Sequence, residues 1–508
     1  MSIYDICITI AIIVYLCMML YIGYRFSKSN SDTEDFYLGG RKMGPLVTAM
    51  SAEASDMSSW LLMGLPGVAY LSGICDAFWT AAGLAVGTWL NWYFVSRKLR
   101  VYSSNLNAIT IPDYFAKRFH DDRNVINAIA AVIIVIFFVP YTASGFAACG
   151  KLFNTLFGID YMTAMIVSAI VIISYTLMGG FKAVCTTDLV QSIVMTVALV
   201  VVVGYGIVQA GGWGAVMDNA HSLAGYFSVT QIHDAVGGGA VDYSPLTIAS
   251  LFAWGLGYFG MPHILVRFMS IEDEKKLVFS RRIATVWVII SMGVAIFIGV
   301  VGNAMSANGS MATLADGERT IMTIAGLISK HGVLPSLVAG VILAGILAAT
   351  MSTADSQLLT AASGVTENLL KDFFHVRMDN KRSLNGARIT IIIISVIAVF
   401  LAQDPNSNVF KIVSFAWAGF GGAFGAIMLL SLFWRRMNLQ GALAGMVTGG
   451  AMVFIWKFMV RPMGGVLDIY ELLPSFVVSL IFAVVVSLLT KAPDQTITDE
   501  FDAAKVSK

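Results

Sequence analysis

The sequence predicts an all-α integral membrane protein of about thirteen transmembrane helices, most of them in a core of two inverted five-helix repeats. Three observations carry this expectation. Of 508 residues, 57% are hydrophobic and only 12% are charged, against roughly 25% charged in an ordinary soluble domain. Apolar runs of about 20 residues, enough to cross a hydrocarbon core roughly 30 Å thick, recur along nearly the whole chain. Two of these runs, five apart in order, carry polar and helix-weakening residues at membrane depth, and such a pair is the sequence pointer to inverted repeats.

The runs lie near residues 4–24, 44–72, 74–95, 124–155, 160–179, 186–209, 245–268, 283–305, 334–366, 387–402, 409–433, 440–459 and 472–490. They are called runs one to thirteen below. The opening Met1-Ser2-Ile3-Tyr4-Asp5 lacks the basic stretch of a cleaved signal, so run one is expected to stay as a helix. The connections after odd-numbered runs and the tail, with the run ends beside them, hold about 26 of the 32 Lys and Arg. They include Arg97-Lys98-Leu99-Arg100, Arg281-Arg282 and Arg435-Arg436. That bias assigns this side to the cytoplasm, the C-terminus with it, and the N-terminus to the outside. The segment 211–244 has no Lys or Arg, as suits an external loop. No linker marks a second domain: residues 1–43 hold the first helix and a cytoplasmic loop, 44–433 the repeat core, and 434–508 two further helices and a tail.

Run two contains Ser51-Ala52-Glu53-Ala54-Ser55-Asp56-Met57-Ser58-Ser59-Trp60, followed by Gly64, Pro66 and Gly67. Run seven contains Trp254-Gly255-Leu256-Gly257-Tyr258-Phe259-Gly260-Met261-Pro262-His263, and each glycine in a helix interior costs about 1 kcal/mol relative to Ala. Both are expected to be interrupted. Runs two to six then form one repeat and runs seven to eleven the other. The alternative for these small residues is close helix packing, which is common in membranes.

An acid at membrane depth costs about 2.5–3.5 kcal/mol, so it should face protein, water or an ion. Asp56 is such a residue; Glu53, Asp188 and Asp355 also lie in or near apolar runs. Asp188 has a second reading, as a cap at a cytoplasmic helix start. Unwinding at Ala54 to Met57 would free carbonyls, hard ligands for a small alkali cation. In run nine, Ala349, Ser352 and Thr353 share a helix face at i, i+3 and i+4 and offer one carbonyl and two hydroxyls. The bland alternative is that the hydroxyls bond back to their own helix. In run seven, Trp254, Tyr258 and Pro262 recur at i, i+4 and i+8. Their stripe would wall one cavity for an organic cation if the helix held, or would simply pack.

Several blocks resemble the sodium/solute symporter family, and within it the bacterial sodium/proline symporters, over nearly the full chain. They are Tyr37-Leu38-Gly39-Gly40-Arg41, Ala54-Ser55-Asp56-Met57-Ser58, Trp60-Leu61-Leu62-Met63-Gly64-Leu65-Pro66-Gly67, Trp254 to Gly260, Pro262-His263, Met351-Ser352-Thr353 and Ala416-Trp417-Ala418-Gly419-Phe420-Gly421. The resemblance implies a leucine-transporter-like 5+5 core, and sodium-coupled symport of L-proline across a bacterial plasma membrane, with no organic cofactor. By the same resemblance, sodium would be held by carbonyls of Ala54, Met57 and Ala349 and hydroxyls of Ser352 and Thr353, with Asp56 needed for sodium dependence. Ser58, Tyr141, Trp254, Tyr258 and Pro262 would line the substrate site, Tyr141 being reached through Pro140-Tyr141-Thr142-Ala143-Ser144-Gly145. Arg41 at the cytoplasmic mouth and Asp188 would act in coupling. Ser59, where such carriers often have glycine, and the acids Glu53 and Asp355 depart from the pattern.

Other classes fit less well. A net charge of +1, with its basic residues in short connections, points to no nucleic-acid partner, and nothing indicates an obligate protein partner. The six histidines form no metal-spaced pair, and there is no phosphate loop or nucleophile elbow for a membrane enzyme. The five cysteines have neither metal-ligand spacing nor an even count, and read as small core residues. A channel would need a repeated filter motif. A carrier of another amino acid or a small carboxylate keeps the same architecture.

Overall fold

The computed structural model describes residues 2–27 and 33–504. Lys28, Lys505 and Lys508, counted in the charge bias, lie outside them. The described chain is mostly helical. Its only strands are a short antiparallel hairpin, Gln231–His233 with Ala240–Asp242, inside the segment without Lys or Arg.

Nine helices among the described residues are long and apolar enough to cross a membrane, from Ile3–Phe26 to Leu472–Leu489. A tenth is a bent pair, Pro245–Gly260 with Pro262–Ser270, at 48°. Aliphatic residues point outward: Ile13, Val14, Ile289, Ile290 and Ile393 are all exposed, as they should be where lipid is the solvent. The polar residues of runs two and nine are instead buried, among them Ser51, Glu53, Ser55, Asp56, Ser352, Thr353 and Asp355. The fold turns its polar groups inward because hydrocarbon offers them no hydrogen bonds.

Runs five and six form one 49-residue helix, Tyr161–Gln209, broken at Gly180 (φ 61°, ψ −169°). At 1.5 Å per residue it is about 74 Å long, more than twice a hydrocarbon core. Run two is helical over Pro45–Ser59, wider-turned over Trp60–Gly64 and helical again over Leu65–Ser72. Its break falls at Ser58 (φ 36°, ψ −172°), one residue beyond the expected stretch, and Ala54 to Met57 remain helical. Run seven changes to a 3₁₀ helix over Ala253–Gly260 and turns at Met261 into Pro262–Ser270.

The glycines serve packing as well as interruption. A Cβ on Gly87 would strike Gly255, and one on Gly257 would strike the Trp417 indole. Runs three and seven therefore meet backbone to backbone. At the end of the bundle where runs four and eight finish, the connection to Thr320–Ser329 folds inward. Lys151, 2% exposed, holds it with Glu318 at 2.7 Å and Asp316 at 3.2 Å.

Candidate ion and substrate site

The break at Ser58 ends the first half of run two inside the protein, and carbonyls in the last turn of a helix have no partner of their own. Run nine reaches one of them, that of Ala54, from the side. Ser352 Oγ donates to the Ala54 carbonyl at 2.7 Å and lies 3.2 Å from the Ala349 carbonyl. Thr353 Oγ1 also bonds the Ala349 carbonyl, at 3.2 Å. Four of the five expected sodium ligands are thus linked, by both back-bonding and a bond between runs. Met57 is not among them, because its carbonyl accepts the Trp60 N–H across the break. Two carbonyls and two hydroxyls make an all-oxygen group suited to a hard cation; to bind one, the hydroxyls would turn their lone pairs inward.

Asp56 is buried a half-turn away, and its carboxylate accepts the Tyr258 hydroxyl from run seven. The Asp56 carbonyl accepts from Tyr141 Oη at 3.3 Å, and Ser58 Oγ lies 3.5 Å from the same phenol. Tyr141 follows Pro140 within the helix of run four. Ser58, Ser59, Tyr141, Thr353, Ala354 and Gln357 help to line a cavity of only about 10 Å³, room for about one water.

The expected stripe of Trp254, Tyr258 and Pro262 does not hold as one wall. A 3₁₀ helix has three residues per turn, so i and i+4 point in different directions, and Pro262 lies beyond the bend. Tyr258 turns to Asp56, while Trp254 joins an aromatic cluster with Trp60 (5.7 Å between ring centres), Phe410 (5.5 Å) and Tyr470 (4.9 Å). Trp417 touches both rings, edge-on to Tyr258 at 5.1 Å and stacked on Trp254 at 6.4 Å.

Asp188 is fully buried eight residues beyond the Gly180 break, so it is no helix cap. Its carboxylate accepts from Ser51 Oγ at 2.6 Å and pairs with Arg267 at 3.0 Å. Arg267 also donates to Ser51 and Ser356, at 2.7 and 2.6 Å, and Ser356 lies 3.2 Å from Asp355. Tyr175 donates to Asp355 at 2.8 Å. This network ties runs two, five, six, seven and nine together, and sequence reasoning missed Arg267 at its centre. The signal was there: a lone arginine in Leu265-Val266-Arg267-Phe268, at a depth where a guanidinium needs a partner.

Arg41, in the left-handed region at φ 54°, sits at the Lys/Arg-rich end. Its guanidinium donates to the carbonyls of Met269 (2.9 Å), Ala108 (2.6 Å) and Ser103 (3.3 Å), and lies 3.6 Å from Glu34. Burial, with Arg100 nearby, pushes it down to about 10, so it stays charged at neutral pH. Glu53 accepts a bond from Trp92 Nε1 at 3.0 Å, and its other oxygen has no hydrogen-bond partner among the described residues.

The sialic acid symporter structure described as "Substrate-bound outward-open state of a Na+-coupled sialic acid symporter reveals a novel Na+-site" superimposes with a TM-score of 0.80. It covers 96% of this chain and 99% of that one at 19% identity. The nucleobase-cation-symport transporter MHP1, closed with bromovinylhydantoin bound, gives a TM-score of 0.56 over 92% of this chain and 98% of its own, at 13% identity. The fold is therefore that of leucine-transporter-like carriers. The high-affinity proline transporter PutP of Bacillus subtilis (strain 168) is 42% identical over 487 residues, 95% of this chain and 98% of that protein. The sodium/proline symporter of Escherichia coli (strain K12) is 40% identical over 495 residues, 97% of this chain and 95% of its own length. The profile of the Sodium:solute symporter family matches residues 36–449, and with relatives this similar across almost the whole length, the chain belongs to that family.

Proposed function

We propose that the chain carries L-proline into the cell together with sodium, by alternating access. The observation that carries this reading is the 2.7 Å bond from Ser352 to the Ala54 carbonyl, which gathers oxygens from two runs next to the break at Ser58. The relatives named as sodium/proline symporters support the choice of ion and solute.

Sodium is the co-transported ion. It enters between runs two and nine and takes the carbonyls of Ala54 and Ala349 and the hydroxyls of Ser352 and Thr353. Met57 joins once Trp60 releases its carbonyl. Asp56 supplies the nearby negative charge. Proline binds beside it among Ser58, Tyr141, Trp254, Tyr258 and Pro262, where an ammonium over an aromatic face gains about 2 kcal/mol when desolvated. Each ligand favours the conformation that the other needs, so the coupling is reciprocal. Arg41 and Asp188 act in that coupling without touching the solute. No covalent step and no organic cofactor are involved. One charge crossing 100 mV releases about 2.3 kcal/mol, and a tenfold sodium gradient adds about 1.4 kcal/mol. Together they sustain several-hundredfold accumulation of a neutral solute.

In this reading there are thirteen crossings: Tyr161–Gln209 counts as two, divided at Gly180, and runs two, three and seven are added to the apolar helices. In this reading residues 44–433 hold the 5+5 core, with 1–43 before it and 434–508 after it. The N-terminus lies outside and the C-terminus in the cytoplasm of a bacterial cell. Uptake by proteoliposomes, with a panel of amino acids and small carboxylates in sodium or choline medium, tests all of this. Proline uptake unchanged by the choline swap would refute the coupling, and preference for another solute would replace proline.

A further inference from the structure

Runs twelve and thirteen lie outside the proposed repeats, yet the corner that joins them reaches Trp254. The ring of Tyr470 stacks on the Trp254 indole, centres 4.9 Å apart and planes 20° apart. This ring is firmly anchored. Its phenol donates to the Ser414 carbonyl in run eleven at 2.6 Å, and its backbone N–H donates to Ser250 Oγ in run seven at 3.3 Å. The next residue, Glu471, is 1% exposed and pairs with Arg461 at 3.0 Å and Lys457 at 3.6 Å. Lys457 lies in turn 4.3 Å from the Phe415 ring of run eleven.

The indole of Trp254 sits on a 3₁₀ turn, next to a bend, on a segment with three glycines. Backbone dihedrals leave more than one staggered well open to a side chain, and the rings packed around the indole select among them. Trp60, Phe410 and Trp417 come from runs within the repeats; Tyr470 is the contributor from outside them. Its two hydrogen bonds join the first half of run seven to run eleven, so the indole's orientation is set jointly by both.

We propose that Tyr470 is a positioning residue of the substrate site, holding the Trp254 indole toward the solute and so bringing the peripheral hairpin into the control of affinity. This rests on the assignment of Trp254 to the proline site. An aromatic pair of this kind is worth about two- to tenfold in an equilibrium constant.

The test is proline uptake by the full chain in proteoliposomes, with rates normalised to inserted protein. Tyr470→Leu should raise the KM for proline about two- to tenfold, leaving the maximal rate and the sodium half-saturation within about twofold. Tyr470→Phe, which keeps the ring but loses the bond to Ser414, should restore most of the KM; Tyr470→Met replaces the leucine variant if that one does not reach the membrane. In combination with Trp254→Ala, the double variant should show the KM of Trp254→Ala alone. An unchanged KM in an inserted Tyr470→Leu carrier, or effects of the two substitutions that multiply, would overturn the proposal while leaving the transport reading intact. Absence of sodium-driven proline uptake in the wild type would refute the transport reading and take this inference with it.

Discussion

The Tyr258 hydroxyl donates to the Asp56 carboxylate, so a residue on the 3₁₀ turn of run seven meets an acid beside the break in run two. A buried hydrogen bond to a charged group contributes about 1.5–3 kcal/mol. Tyr258→Phe is therefore expected to weaken apparent proline affinity about tenfold or more, read from uptake kinetics at saturating sodium. Asp56→Asn is expected to abolish sodium stimulation in a protein that still inserts, as surface labelling would verify. A phenylalanine variant within twofold of the wild type would separate Tyr258 from the site.

Ser352 is the hydroxyl that joins run nine to run two. Ser352→Ala should raise the sodium concentration for half-maximal uptake about tenfold, the effect of roughly 1.4 kcal/mol. Thr360→Ala, which removes a hydroxyl that bonds back to the Ser356 carbonyl of its own helix, should leave that value alone. Equal shifts in both variants would mean a general effect on the helix.

Arg267 and Asp188 form a buried pair, and removing one partner of such a pair costs about 3–5 kcal/mol because a charge is left uncompensated. Arg267→Met should lower the melting temperature in detergent more than Asp188→Asn does. Without the guanidinium, two buried acids, Asp188 and Asp355, remain in the network. The double variant should recover much of the loss, a non-additivity expected of residues in contact.

Arg41 reaches three carbonyls with a planar fork that lysine cannot reproduce. Arg41→Lys should loosen the Lys/Arg-rich end. In an Ala108→Cys background, alkylation by a hydrophilic maleimide applied from that side should speed up severalfold. An unchanged rate would show that the other contacts suffice to close it.

The runs were legible because hydrocarbon punishes polar surface, so outward-facing positions such as Ile13, Ile289 and Ile393 write their exposure to lipid into composition. The weakness of runs two and seven was legible too, from Ser, Asp, Gly and Pro. Where each breaks was not. Ser58 takes a positive φ that a serine adopts only under tertiary constraint, which no local propensity reveals. The stripe in run seven assumed 3.6 residues per turn, and the segment chose three. Ser352 with Ala349 could be read from helix spacing, but not the Ala54 carbonyl nearly 300 positions away. The pairing of Arg267 with Asp188 and the stacking of Tyr470 on Trp254 likewise depend on how separate runs pack, and periodicity within one run carries no record of them.

The glycine contact between runs three and seven has a mechanical consequence. Helices slide past one another when interdigitated side chains switch rotamers. Where Gly87 rests on Gly255 there are no side chains to switch. These two segments should travel as a single rigid strut, and whatever bending transport demands must be absorbed at the breaks beyond that contact, at Met261 within run seven and at Ser58 in run two.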